Sequence, residues 1–230
     1  MVEIAFSMEE LQRHSAEAGL SYNFIVKEAM LFAFLDILRN HPFVLKGGTA
    51  INKAFLGEKQ RFSEDLDFDT EFSKIEVVGI LKKEGFSTKD SYFTKHAFGF
   101  AVQYEFHGLK DVVKLEFTTK KGIRHEIISL KSAFLPLSIT AKAYSFSDLV
   151  AQKEKAFLSR EEWKDLYDLY WLAKLHPEKF RLKNSKEMQQ KIASMKISKT
   201  ANSYIPLKNR INWEIIKQDF ISMLNDSGKQ

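Results

Sequence analysis

Residues 43–69, FVLKGGTAINKAFLGEKQRFSEDLDFD, constrain the fold of this 230-residue chain more than any other stretch. Phe43-Val44-Leu45 reads as a short buried strand, Lys46-Gly47-Gly48-Thr49 as a tight polar turn, and residues 50–56 as the start of a helix. Residues 65–69 then alternate strictly between acid and apolar, the period of a strand. In a strand Asp65, Asp67 and Asp69 share one face and Leu66 and Phe68 the other, with same-face positions about 6.5–7 Å apart. Two carboxylates at that spacing can converge on one hard divalent cation; buried and unpaired, they would repel at a cost of several kcal/mol. The glycine pair lets backbone N–H groups approach a ligand closely, and a helix starting just after it adds partial positive charge. A phosphate-cradling turn beside a carboxylate strand is what metal-dependent phosphoryl or nucleotidyl transfer requires.

Further along, residues 111–118 read as a strand with Val113, Leu115 and Phe117 on one face and Lys114 and Glu116 on the other. Glu116 is thus an acid on the polar side of a central-looking strand. Residues 149–172, LVAQKEKAFLSREEWKDLYDLYWL, place Lys153, Ala156 and Arg160 at i, i+3 and i+7, one helix face. Asp165 and Asp168 are three apart and also face one side together.

GG-T followed by D-x-D resembles the signature of the DNA-polymerase-β-type nucleotidyltransferases. The fuller wording, KGGTAINKAF…RFSEDLDF, is similar to the AbiEii/AbiGii toxin family of nucleotidyltransferases, and residues 149–172 resemble that family's second block. The resemblance implies an α/β (α+β) core, a mixed sheet flanked by helices, followed by a helical C-terminal part. It implies Asp65, Asp67 and Glu116 as ligands of Mg²⁺ or Mn²⁺, Glu116 also able to accept a proton from the attacking hydroxyl. Lys46, Gly47, Gly48, Thr49, Arg61, Ser63, Lys153 and Asp165 are the expected nucleotide-binding residues. Among them Arg61 would grip a phosphate bidentately, Lys153 would offset triphosphate charge, and Asp165 would orient Lys153. The implied reaction moves an NMP from an NTP to an acceptor hydroxyl, in a toxin acting on RNA such as tRNA beside a cognate antitoxin. A small-molecule or protein acceptor, and a non-catalytic nucleotide- or RNA-binding member, are the alternatives. Asn52 departs from the pattern, standing where a small hydroxyl residue is common.

Each residue has a plainer reading. Asp65 and Asp67 would be an exposed acidic edge, Glu116 a cross-strand partner of a lysine with Glu105 as its rival, and Lys153 a surface lysine with Lys155 as its rival. Asp165 and Asp168 would be surface acids paired with Arg160 or Lys164, worth little. Six histidines show no metal-ligand spacing, and no G-x-S-x-G, P-loop lysine or H-R-D motif is present, which disfavours hydrolase triads and P-loop chemistry.

Residues 8–18, 22–39, 75–83, 147–159, 161–175, 183–194 and 212–224 read as helices, Ser21 and Ser147 as N-caps, and Pro42 as a stop. Residues 92–94 and 98–106 add strands, a His107-Gly108 turn makes a hairpin, and residues 133–140 give one more strand. The expected organisation is a core over residues 1–145 and a helical region over residues 146–230. Zero cysteines leave no disulfide or thiolate metal site. With no leader pattern at Met1-Val2-Glu3 and an apolar run of only seven residues, a cytoplasmic chain that spans no membrane is expected. Net charge is +5, but residues 174–217 carry eleven Lys or Arg against three Glu. That segment reads either as solvated helix faces or as a surface for a polyanion such as RNA.

Overall fold

The computed structural model describes residues 6–227. A seven-stranded mixed sheet is built from β1 (Val44–Lys46), β2 (Asp65–Thr70), β3 (Thr88–Phe93), β4 (Ala97–Phe106), β5 (Leu109–Thr119), β6 (Glu126–Lys131) and β7 (Ser138–Ala143). Their spatial order is β3-β4-β5-β2-β1-β7-β6. β2 runs parallel to β5 and antiparallel to β1, and β1 runs parallel to β7. The helices are α1 (Met8–Ala18), α2 (Tyr22–Leu38), α3 (Gly47–Phe55), α4 (Lys74–Lys83), α5 (Phe146–Ser159), α6 (Trp163–Leu175), α7 (Ser185–Ser194) and α8 (Trp213–Ser227). This is the α/β fold with flanking helices that the motifs implied.

One face of the sheet is a phenylalanine core. Phe43, Phe68, Phe98, Phe100 and Phe117 are buried and in ring contact, with Phe43–Phe117 centroids 5.0 Å apart. Each such ring contributes roughly 1.5–3 kcal/mol through burial alone. α2, apolar almost all round, packs its buried Ile25, Leu31, Leu35 and Leu38 toward β5 and β7, as its composition required. With the apolar residues of β2 and β5 committed to that core, their polar residues are forced onto the opposite face.

Several boundaries differ from the sequence reading, each for a local reason. α3 begins at Gly47, so the glycine pair is the first turn of the helix rather than a loop before it. Gly47 makes the strand-to-helix corner in the left-handed region, at φ 72°. Ser145, not Ser147, caps α5: its hydroxyl accepts from the Asp148 N–H and contacts the Asp148 carboxylate at 2.7 Å. Residues 133–137 are not a strand. The Ser132 hydroxyl takes the N–H groups of Phe134 and Leu135 into a turn, and Pro136 has no N–H to give a ladder. The strands there are β6, which the sequence reading missed, and β7.

Candidate active site

The pleat places a row of polar residues across the open face of the sheet. Asp67 lies directly opposite Lys46 on β1 and Glu116 on β5, and Glu116 lies opposite Gly99 on β4. One step along, Asp65 lies opposite Lys114. The structure therefore brings Asp65, Asp67 and Glu116 together on neighbouring parallel strands, as the sequence reading expected. Glu105 is removed from them, paired with Lys110 at the hairpin end at 3.4 Å.

No cation within salt-bridge distance neutralises Asp65, Asp67 or Glu116 among the described residues; Glu116 accepts only a 3.3 Å contact from the Tyr92 hydroxyl. Burial, then the Glu116 and Asp65 charges, push the Asp67 carboxyl up to about 6, with Lys46 and Lys153 opposing. Asp65 is raised too, first by burial, with Lys114 pulling the other way. Repelling, partner-poor carboxylates of this kind are a set of hard oxygen donors awaiting positive charge, which fits Mg²⁺ or Mn²⁺. As the side chains lie, no three His, Asp or Glu among the described residues are grouped closely enough to hold a metal ion together. Asp69 belongs elsewhere: it takes ion-paired Lys46 and the Tyr144 hydroxyl (2.6 Å). Lys46 is thus engaged by Asp69 and, at 2.9 Å, by Thr118.

The N-terminus of α3 abuts Asp67. A Cβ on Gly47 would sit 2.2 Å from Asp67 Oδ2, and one on Gly48 would sit 2.9 Å from Arg61 Nη2. Among the described residues no side chain caps this helix, so its first N–H groups lack a side-chain partner. The backbone of Gly47, Gly48 and Thr49 forms the first turn of α3, and the side chain of Thr49 is turned inward. Its buried hydroxyl donates to the Asp65 carbonyl (2.6 Å) and lies 2.9 Å from Ser63 Oγ, tying α3 to the start of β2. Ser63 is likewise buried and internal.

Behind the helix lies a charge network built from Arg61, Lys153, Arg160, Asp165 and Asp168. Arg61 is 2% exposed and spends its guanidinium fork on Asp168, at 2.9 and 2.7 Å, so it has no free edge for a phosphate. Lys153, 6% exposed, is held between Asp165 (2.9 Å) and Asp168 (3.0 Å). Asp165 is fully buried and saturated by Lys153 and Arg160, so it orients cations instead of touching a nucleotide. Burial would raise its carboxyl, but hydrogen bonds from Arg160 and Lys153 outweigh that and hold it below the usual range. Asp165 and Asp168 are therefore not surface acids. Arg160, just past the end of α5, is the member that reaches solvent, with a side chain 57% exposed. The rival Lys155 is exposed and outside the network.

Asn52 escaped the sequence reading as a working residue. It donates to the Gly48 carbonyl (2.9 Å) and Asp168 (3.2 Å) and accepts from the Arg61 N–H (2.9 Å). A hydroxyl there could not make all three bonds, which gives the family departure at this position a local reason. The only signal in the sequence was an amide one turn after a glycine.

The carboxylate face beside the N-terminus of α3 has the chemistry that nucleotidyl transfer uses. The sequence profile of the nucleotidyl transferase AbiEii toxin family, of type IV toxin–antitoxin systems, matches residues 29–229, and the chain belongs to that family. It is a nucleotidyltransferase by that membership. Two solved structures from Helicobacter pylori share the fold. JHP933 is 23% identical with a TM-score of 0.67, over 90% of this chain and 92% of its own. A protein assigned as a nucleotidyltransferase is 20% identical with a TM-score of 0.64, over 90% of this chain and 95% of its own. No curated protein matches the chain. Among the described residues no single helix is long and apolar enough to cross a membrane.

Proposed function

We propose that this chain transfers a nucleoside monophosphate from an NTP to a hydroxyl of RNA, with a tRNA end as the expected type of acceptor, and that a cognate antitoxin counters it. The observation that carries the reading is the set of Asp65, Asp67 and Glu116 on one sheet face, without a cationic partner among the described residues, at the uncapped N-terminus of α3. These three carboxylates would hold Mg²⁺ or Mn²⁺. A bound divalent cation supplies charge neutralisation at the triphosphate and acidifies the attacking hydroxyl.

The remaining roles fall to the chain's own groups. The N–H groups of Gly47, Gly48 and Thr49 bind triphosphate oxygens, and the helix end adds partial positive charge. Lys153, Arg61 and Arg160 outnumber Asp165 and Asp168 by one charge, and exposed Arg160 presents that surplus toward the phosphates. Lys46 and Ser63 hold the surroundings of the cradle. The acceptor oxygen bonds to the α-phosphorus while its bond to the bridging oxygen breaks; pyrophosphate leaves with that electron pair. Glu116 takes the hydroxyl proton.

The basic segment supports an RNA acceptor less than its composition suggested. Lys174 pairs with Asp219 (2.7 Å), Lys208 with Glu58 (2.7 Å), and Lys191 and Lys217 bind carbonyls of Leu158 and Met195. Lys179, Lys183, Lys186, Lys196, Lys199 and Arg210 remain exposed. The test is incubation with each α-labelled NTP, Mg²⁺ and total cellular RNA. Label on RNA from one NTP is expected; label only on protein or a small molecule would overturn the RNA acceptor, and metal-dependent NTP binding without any product would overturn transfer.

A further inference from the structure

The carboxylate row continues two strands beyond Glu116, and what stands there is an exposed aromatic ring. Tyr92 of β3 lies opposite Gly99, which lies opposite Glu116, so the row reads Tyr92, Gly99, Glu116, Asp67, Lys46 across five strands. Two local devices put it there. The register between β3 and β4 shifts between Asp90 and Tyr92, leaving Ser91 as an extra residue. Without that bulge Tyr92 would point to the phenylalanine side; with it, the phenol turns onto the carboxylate side, a use of bulges common beside active sites. The second device is Gly99. A Cβ at that position would lie 2.5 Å from Tyr92 Cε1 and 2.8 Å from Cδ1, so only glycine lets the ring lie down over β4. The result is a hydroxyl 3.3 Å from Glu116 Oε2 and a residue that keeps 37% exposure.

The neighbouring same-face row has Lys89 opposite Ala101, opposite Lys114, opposite Asp65. Both lysines are exposed, and neither has a salt bridge among the described residues. Lys114 already acts electrostatically on Asp65. The triphosphate cradle sits at the opposite end of the row, at β1 and α3. Glu116 is between the two, so a hydroxyl that gives its proton to Glu116 approaches from the Tyr92 side.

We propose that the β3–β4–β5 end of this face receives the terminal nucleotide of a single-stranded nucleic acid, its base stacking on the Tyr92 ring and its phosphates meeting Lys89 and Lys114. The inference rests on the transfer reading above and assigns its acceptor side. Tyr92 is a positioning residue here. Any base has a face to stack, so the site selects single-stranded acceptors rather than a particular sequence.

The test measures binding and turnover separately. Anisotropy of a labelled single-stranded oligoribonucleotide at low salt, without NTP, compares the wild type with Tyr92→Phe, Tyr92→Leu and the double variant Lys89→Glu/Lys114→Glu. Leucine still covers Gly99, so its loss reports on the aromatic face and not on folding. Phenylalanine should bind within about twofold of wild type and leucine roughly tenfold or more weakly, the range typical of losing one base stack. The double variant should bind more weakly and lower the slope of log K against log salt by roughly 1.4, at about 0.7 per phosphate contact. In turnover, Tyr92→Leu should raise the acceptor KM and leave the NTP KM unchanged. Leucine binding as well as wild type, phenylalanine as weak as leucine, or equal rises in both KM values would each overturn the proposal. So would a wild type that binds no oligonucleotide, even if it labels another acceptor, and that result would leave the transfer reading standing. Retained transfer in Asp67→Asn would sink the carboxylate reading instead and leave the binding comparison intact.

Discussion

Asp67 is held where its charge is least welcome: walled by burial, with Glu116 beside it, Asp65 two residues away and Gly47 against its carboxylate. Its pKa of about 6 in the fold stands above the ordinary 3.8, so the folded state binds this proton more tightly than the unfolded chain. Stability from that source is fully present below pH 3.8 and is lost as pH rises through 6. Asp67→Asn removes the penalty. In EDTA its Tm should match wild type near pH 4 and exceed it by several degrees near pH 7.5, for a gain on the order of 2 kcal/mol. A pH-independent difference would contradict the assignment. Lys153→Ala should lower stability by roughly 2–4 kcal/mol, because Asp165 and Asp168 each lose a buried partner, and should raise the NTP KM. Lys155→Ala should stay within about 0.5 kcal/mol of wild type. Urea unfolding and NTP kinetics of the pair decide it; equal losses would mean the wrong face of α5 was chosen. The acids of β2 were legible because alternation is local. The Arg61–Asp168 fork was not, since its partners are 107 residues apart and a phosphate-binding arginine looks the same in sequence.

α3 is the element on which the site turns, and its first residue cannot be substituted cheaply. Gly47→Ala meets both a left-handed φ and the Asp67 carboxylate. It should cost about 1–3 kcal/mol in backbone strain, plus displacement of Asp67, and abolish NTP binding by calorimetry. Near-wild-type binding in that variant would show that the N-terminus of α3 is not the cradle. Strand-turn-helix order was readable from the glycine pair; the exact start was not, because the first turn of a helix and a polar loop have the same composition. β6 escaped because EIISLK alternates weakly and four of its six residues are exposed, so its strand state depends on pairing with β7. The β3 bulge left no signal either, since one extra residue in a polar edge strand changes no pattern.

At the scale of the molecule, the C-terminal part is stitched to α3 and to the segment joining α3 to β2. Beyond the Arg61–Asp168 fork, the Phe62 N–H donates to the Tyr204 carbonyl (2.8 Å), the Tyr167 hydroxyl to the Lys59 carbonyl (2.8 Å), and His176 contacts the Phe55 carbonyl (2.9 Å). Arg61→Lys keeps the charge but loses the fork, and should lower stability by roughly 2–4 kcal/mol in one cooperative transition. A separate early transition of the C-terminal helices would contradict that coupling. The last strand, β7, ends at Ala143, and we propose that residues 146–230 act as the helical wall of the site. In the proposed reading, catalysis rests on the shared face of β2 and β5. The most direct measurement is transfer of label from an α-labelled NTP, with Mg²⁺ and RNA, by wild type and by folded Asp67→Asn. The wild type should label RNA and Asp67→Asn should not, despite its higher Tm at neutral pH. Undiminished labelling by Asp67→Asn would show that these carboxylates are not the site of transfer.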